Sequence, residues 1–235
     1  MAAMASLTAR TAFAARRSSV VVAASRPIWY PGNDEVVPPY LDGELPGDYG
    51  FDPLRLADDP ENRRWLVHSE IFHGRVAMTG VAGILYTSLA NASGQDIPEW
   101  FDAGKVYAET HPDVPFGALV YTTFLLSGWA EAKRWQDYKK PGSQADGSFF
   151  GIRDEFKGTG NAYPGGKYFD FLGLSRGSEE QLRQYKIKEV KNGRLAMIAF
   201  LGFAAQYAAT GKGPIDNLIE HITTGGAANF VTNGE

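Results

Sequence analysis

Three stretches of the chain carry no Asp, Glu, Lys or Arg: Val76 to Gly94, Val114 to Ala130 and Leu195 to Gly211. Each sits near the lower limit for a bilayer span, where roughly 17–25 apolar residues are needed. The first and third are preceded by helix-compatible sequence in the same register, Asn62 to Arg75 and Glu179 to Arg194. Those two helices therefore extend to ~30 residues, or ~45 Å at ~1.5 Å per residue, enough to cross a bilayer with tilt. The pattern predicts an all-α membrane protein with three transmembrane helices, at about 62–91, 114–138 and 180–210. Short charge-free runs also suit the buried helices of a soluble bundle.

The loops between the runs bear on that choice. From Asn91 to Asp113 one basic residue, Lys105, faces Asp96, Glu99, Asp102, Glu109 and Asp113. The connection from Glu131 to Lys191 is instead dense in Lys133, Arg134, Lys139, Lys140, Arg153, Lys157, Arg183, Lys186 and Lys188. Basic loops stay on the cytoplasmic or stromal side. The amino terminus is thus expected on that side and the tail after Gly211 opposite.

Composition alone gives no membrane signal: 44% hydrophobic residues, a mean hydropathy of -0.25 and a formal charge of -4 suit a soluble protein. There is no basic excess to suggest nucleic acid. The chain has no cysteine, which excludes disulfides, thiolate metal sites and a cysteine nucleophile and leaves metal binding to His, Asn, Gln, Asp or Glu. Residues 1–25 are rich in Ala, Ser and Arg (Arg10, Arg16, Arg17), and no acidic residue precedes Asp34. That is the composition of an organelle-import segment, and the mature chain is expected to begin near Ala23 to Arg26.

A repeat carries the chemistry. Glu70-Ile-Phe-His73-Gly-Arg75-Val-Ala-Met78 aligns with Glu189-Val-Lys-Asn192-Gly-Arg194-Leu-Ala-Met197, and upstream Phe51-Asp52-Pro53-Leu54-Arg55-Leu56 aligns with Phe169-Asp170-Phe171-Leu172-Gly173-Leu174. Loop followed by helix is a duplicated unit. A lone charge near the bilayer centre costs ~2.5–3.5 kcal/mol on insertion scales, so the four charges of the two helices should be paired. Within one helix Glu and Arg five residues apart point ~140° apart. Pairing between helices solves this: Glu70 with Arg194 and Glu189 with Arg75, with Gly74 and Gly193 where the backbones approach. Each carboxylate then keeps lone pairs for a metal centre without adding net charge. His73 and Asn192, one turn from their Glu, offer an imidazole and an amide oxygen, suitable single axial ligands for an Mg²⁺ already held by four ring nitrogens. Glu-x-x-His is also the di-iron carboxylate signature, but that site needs two such pairs and two further Glu, whereas the second copy has Asn192.

At these residues the chain resembles the light-harvesting chlorophyll a/b-binding family, over Arg26 to about Thr223. Trp29-Tyr-Pro-Gly, Pro98-Glu-Trp-Phe-Asp-Ala-Gly-Lys105, Arg134-Trp-Gln-Asp, Pro141-Gly-Ser, Tyr163-Pro-Gly-Gly and Thr210-Gly-Lys-Gly-Pro are similar to its photosystem I peripheral antenna branch. The resemblance implies crossed, pseudo-two-fold related first and third membrane helices, short amphipathic lumenal helices, and a 26–235 antenna domain. It implies chlorophyll a, chlorophyll b, carotenoids of lutein or other xanthophyll type, beta-carotene and structural lipid as cofactors. Glu70, His73, Glu189 and Asn192 match its central chlorophyll ligands, with Arg75 and Arg194 as ion-pair partners. Glu131, paired with Arg134, matches the ligand of the middle helix, and Gln206 and His221 match ligands further along the third helix and in the lumenal helix. Val76, Phe171 and the tail from Thr224 depart from the family pattern. His68 and His111 match no ligand and read as interfacial residues. The implied protein is not an enzyme. It sits in the chloroplast thylakoid membrane, amino terminus stromal and carboxyl terminus lumenal, among membrane lipids, and passes excitation to the photosystem I core and neighbouring antenna subunits. In the resembled branch, Asn at the position of His73 accompanies low-energy chlorophyll absorption, so this His predicts modest far-red emission. The competing readings are a photoprotective light-harvesting-like protein with few pigments and a di-iron carboxylate membrane oxidase.

Overall fold

Pro60 opens the longest helix of the protein at a position where a missing amide hydrogen costs nothing, and the Asp59 carboxylate just before it accepts the Glu61 amide at 3.3 Å. This helix, α1, runs Pro60–Ala92, 33 residues or roughly 50 Å. The computed structural model describes residues 27–32, 36–145 and 161–228. The import segment expected over residues 1–25, with its processing point, lies outside them, as do Arg153 and Lys157 of the basic loop. After α1 come α2 (Ala103–Thr110), α3 (Phe116–Lys139), the single turn α4 (Gly166–Phe169), α5 (Glu179–Thr210) and α6 (Pro214–Thr223). Among the described residues there is no strand element, so the chain is helical as expected.

Termini of α5 and α6 follow directly from local sequence. Ser178 and Gln181 form a capping box at the start of α5, each side chain accepting the other's backbone amide, and Gly211 ends it at φ 67, a left-handed conformation that glycine adopts freely. Pro214 then starts α6 behind Gly213.

The chain divides into two units, Met1–Arg63 and Arg64–Glu235. In the first, Asp52 organises the loop before α1: its carboxylate accepts the amides of Leu56 at 3.1 Å and Ala57 at 2.9 Å and the Tyr40 hydroxyl at 2.8 Å. Burial and that hydrogen bond to Asp52 push the Tyr40 phenol up to about 12, so it remains a donor. In the second unit Asp170 does the same before α5, accepting Leu174 N at 2.8 Å, Ser175 N at 3.0 Å and Ser175 Oγ at 2.5 Å. The sequence repeat is thus a repeat of hydrogen bonding. It extends to the backbone, because Arg55 and Gly173, aligned in the two copies, both have left-handed φ, 53 and 68. A non-glycine residue pays ~1–2 kcal/mol for that region. A Cβ at Gly173 would meet nothing closer than Arg176 Cδ at 3.5 Å, so Gly173→Ala isolates the backbone term and should lower stability by about 1 kcal/mol. Arg55→Gly should raise it by up to about the same amount, read in both cases from thermal unfolding.

Both loop aspartates have depressed pKa values. Burial alone would raise Asp52, but the Ala57, Leu56 and Arg55 amides and the Tyr40 hydroxyl outweigh it, while the Ser175 hydroxyl and amide hold Asp170 below the ordinary 3.8. A carboxylate lowered in the folded state contributes stability in full above its unfolded pKa and loses it as pH falls through the folded value. Asp170→Asn should therefore flatten the stability profile below about pH 4 and leave its slope near neutrality unchanged, as measured by unfolding across that acid range.

In the second unit α1 and α5 cross at glycine. A Cβ built on Gly74 would lie 3.1 Å from Gly193 Cα, and one built on Gly193 would lie 3.0 Å from Gly74 Cα. Ile71, Val190 and Ala196 are buried at the crossing and Ile84 and Ala90 further along α1; among the described residues few other apolar side chains are buried, Pro214 being one. α3 buries none. It meets α1 through an aromatic cluster at its end, where Trp65 packs edge-on to Trp135 and Tyr138 at 5.7 and 5.3 Å and Arg64 donates to the Tyr138 carbonyl at 2.5 Å. Large apolar side chains are otherwise exposed, among them Phe124 at 75% and Ile198 at 69%.

No helix of the described residues is long and apolar enough to cross a membrane. The cause is visible in the sequence: α1 and α5 carry charges through their first halves, and α3 is charge-free only from Phe116 to Ala130.

Candidate functional site

The glycine crossing brings the four repeat charges together. Arg75 Nε donates to Glu189 Oε1 at 2.7 Å and Arg194 Nε donates to Glu70 Oε1 at 2.6 Å. Each pair joins α1 to α5, in the reciprocal arrangement expected from the register. In neither carboxylate does the arginine bond occupy Oε2, so each pair presents a neutral unit with an acceptor oxygen left over.

Arg75 also donates from Nη1 to the Ala162 carbonyl at 2.8 Å, and its guanidinium lies 5.2 Å from the Tyr163 ring centroid. Asn161 Nδ2 ties the same segment to the Arg64 carbonyl at 2.9 Å. The Tyr163 hydroxyl is buried beside Glu189, close enough to feel its charge but without a hydrogen bond of ordinary geometry. Burial and that carboxylate push the phenol above its usual range. Sequence reasoning missed this clamp, because nothing in Asn161-Ala-Tyr163 marks which distant arginine it will meet.

His73 and Asn192 are held by one device. His73 Nδ1 lies 2.8 Å from the Ser69 carbonyl, four residues earlier, and Asn192 Nδ2 donates to the Lys188 carbonyl at 2.8 Å, also four residues earlier. A carbonyl only accepts, so the imidazole proton must sit on Nδ1 and the amide nitrogen must face the helix. The lone pairs of Nε2 in His73 and Oδ1 in Asn192 are thereby turned away from the backbone, on exposed positions. Orientation of a ligand by a hydrogen bond from its other polar atom is the usual support for a metal-binding imidazole. His221 repeats it on α6, with Nδ1 2.8 Å from the Ala228 carbonyl. Gln206 is exposed on α5.

Glu131 differs from Glu70 and Glu189 in being paired along its own helix. Arg134 Nε lies 3.2 and 3.0 Å from its two oxygens, and Nη2 also contacts Oε2. The same guanidinium reaches α1, with Nη1 3.1 Å from His68 Nδ1 and the carbon 4.0 Å from the Phe72 ring centroid. His111 stacks on Tyr107 at 4.6 Å, away from these groups. Among the described residues no three of His, Cys, Asp or Glu gather as a metal-ion cluster, and Arg occupies both Glu of the crossing.

At the opposite end of α1 the Glu99 carboxylate accepts Ser88 Oγ at 2.6 Å and Asn91 Nδ2 at 3.4 Å, and its oxygens lie 2.7 and 2.8 Å from where a Cβ of Gly213 would stand. The Phe101 ring stacks on Tyr207 at 4.1 Å nearby. These contacts bind the segment after α1 to the α5–α6 corner. Glu99 reads in sequence like any other acid of its loop.

A family model described as Chlorophyll A-B binding protein matches residues 37–208. Photosystem I chlorophyll a/b-binding protein 5, chloroplastic, of Arabidopsis thaliana is 48% identical over 208 residues, covering 86% of this chain and 78% of its own length. Chlorophyll a-b binding protein 7, chloroplastic, of Solanum lycopersicum is 43% identical over 224 residues, covering 95% of this chain and 80% of its own. Photosystem I chlorophyll a/b-binding protein 3-1, chloroplastic, of Arabidopsis thaliana is 41% identical over 236 residues, covering 94% and 84%.

Proposed function

The chain belongs to the chlorophyll a/b-binding protein family, and from that premise we propose that its crossed helices hold chlorophylls through Glu70, His73, Glu189 and Asn192. The protein is a light-harvesting antenna of the photosystem I type. Glu131, Gln206 and His221 are the further ligands of this reading. The observation that carries it is the shared anchoring of His73 and Asn192. In each the helix carbonyl takes the hydrogen and the remaining lone pair points outward at an exposed position. That suits a neutral fifth ligand to a porphyrin-type magnesium.

Bound chlorophyll supplies light absorption and excitation transfer. The polypeptide orients and separates. Paired carboxylates offer an oxygen without net charge, so no further counter-ion is needed in an apolar setting. The scarcity of buried apolar side chains supports large apolar cofactors: a chain whose Phe124, Leu126, Ile198 and Leu201 stand exposed needs other apolar surface to cover them. Carotenoids, with lipid, are proposed for the remaining grooves. Phe51, Leu54 and Leu56 are exposed in the loop before α1, and Phe169, Leu172 and Leu174 in the segment before α5.

The three long helices are proposed to span the thylakoid membrane, amino terminus stromal and carboxyl terminus lumenal. Hydropathy alone does not select them. Support comes from charge pairing at the crossing, the charge-free halves that follow it and the basic second loop. The photosystem I core and neighbouring antenna subunits are the proposed partners.

Reconstitution with mixed chlorophylls and carotenoids tests the ligands. His73→Val should lose one chlorophyll per polypeptide, and so should Asn192→Val. His73→Asn should keep the pigment number and move low-temperature emission to longer wavelength, the smaller ligand letting neighbouring pigments couple more closely. Unchanged emission with unchanged pigment would remove His73 from the tuning role, and full pigment in both Val variants would overturn the ligand assignment.

A further inference from the structure

Glu70 and Glu189 are each held by an arginine from another helix, which fixes them in the frame of the crossing. Glu131 has no such reference. Its arginine lies three residues further along α3, and the pair is partly exposed. Exposed pairs of this kind contribute little and their long side chains sample several arrangements. Among the described residues, the polar contact that ties the pair to another helix is the one from Arg134 Nη1 to His68 Nδ1, at 3.1 Å.

We propose that His68 is a positioning residue for the chlorophyll site of α3, fixing Glu131 through Arg134. The inference rests on the reading of Glu131 as a ligand. Three features of His68 fit the task. It is 5% exposed on α1, stacked on Trp65 at 6.0 Å and 15° and set edge-on to Tyr138 at 5.1 Å, so its ring has little freedom. Arginine can only donate, so Nδ1 carries a lone pair and the ring proton sits on Nε2. A neutral acceptor also holds the guanidinium without competing with the Glu131 carboxylate for its charge, as Asp or Glu in the same place would. Phe72, one turn along α1, presents its ring face to the same guanidinium at 4.0 Å. The cation is thus gripped by α1 on two sides and points its remaining donors at Glu131.

His68→Phe keeps an aromatic ring between Trp65 and Tyr138 and removes the acceptor. His68→Asn places Oδ1 where Nδ1 stood, since both atoms are bonded to Cγ, and gives up the ring. Each is reconstituted with pigments beside Glu131→Val and the double variant His68→Phe/Glu131→Val. Pigment number and low-temperature difference absorption against the parent protein are read, with helicity by circular dichroism. The expected result is that His68→Phe loses one chlorophyll, with the same difference band as Glu131→Val, that the double variant loses no more, and that His68→Asn retains the pigment. Full pigment in His68→Phe, with Glu131→Val losing one, overturns the positioning role while leaving Glu131 a ligand. Equal loss in His68→Phe and His68→Asn, or loss from every site with reduced helicity, assigns His68 to packing and also overturns it. Full pigment in Glu131→Val removes the ligand itself, a failure of the underlying reading that this variant alone reveals.

Discussion

Leucine in place of Gly74 or Gly193 is expected to abolish assembly of the pigmented protein. Cβ atoms at these positions would stand 3.1 and 3.0 Å from the opposing glycine Cα, and the obstacle is backbone, which cannot swing aside as a side chain can. One methyl group requires the helices to part by a few tenths of an ångström. Gly74→Ala should therefore cost about 1–3 kcal/mol, within the usual range for overpacking. Leucine must push α1 and α5 apart far enough to stretch both ion pairs, now 2.6 and 2.7 Å, so contact and charge pairing are lost together. The measurement is reconstitution yield and thermal release of pigment for the Ala and Leu variants at each glycine. Equal yields for Leu and wild type would show that the helices do not meet at these residues.

Arg75→Leu should destabilise the crossing. It leaves Glu189 without its 2.7 Å partner and frees the Ala162 carbonyl and the Tyr163 ring from the guanidinium. Removing one member of a fully buried pair costs about 3–5 kcal/mol. With side-chain exposures of 38% and 27%, about 2 kcal/mol is the expected loss. Arg194→Leu should show the same sign, because it leaves Glu70 without its 2.6 Å partner. The double variant Arg75→Leu/Glu189→Gln should recover part of the deficit, because no charge is then stranded. A double-mutant cycle on thermal stability separates these terms. Additive losses would mean that the two residues do not act as a pair.

Both predictions were open to sequence reasoning, because the Glu, polar and Arg positions recur with their glycines in two copies. Charges that cannot pair within a helix have to pair between helices, and a small residue beside them marks where the backbones meet. The Asp52 and Asp170 loops could be matched by their shared motif, whereas the amides that each carboxylate gathers are a finding of the structure. Hydropathy was less decisive. The three charge-free runs fall within long helices to within two residues, yet none of these helices is apolar enough along its length to cross a membrane. A window average counts every charge at full weight, including those of Glu70, Arg75, Glu189 and Arg194, which are neutralised only in the folded pair.

Residues that depend on a meeting of distant segments were not readable. His68 stood in sequence as an interfacial histidine, and its contact with Arg134 exists only because Trp65, Trp135 and Tyr138 pack α3 against α1. The Arg75 clamp by Ala162 and Tyr163, and the Glu99 contacts with Ser88 and Asn91, are of the same kind. Local periodicity and the repeat determined by themselves where the long helices run and which charges must be paired, because those follow from spacing along one helix and the cost of an isolated charge. Which distant groups meet Arg75, Arg134 and Glu99 was decided only by tertiary structure, because a hydrogen bond requires two atoms about 3 Å apart, and nothing local to either residue encodes its partner's place.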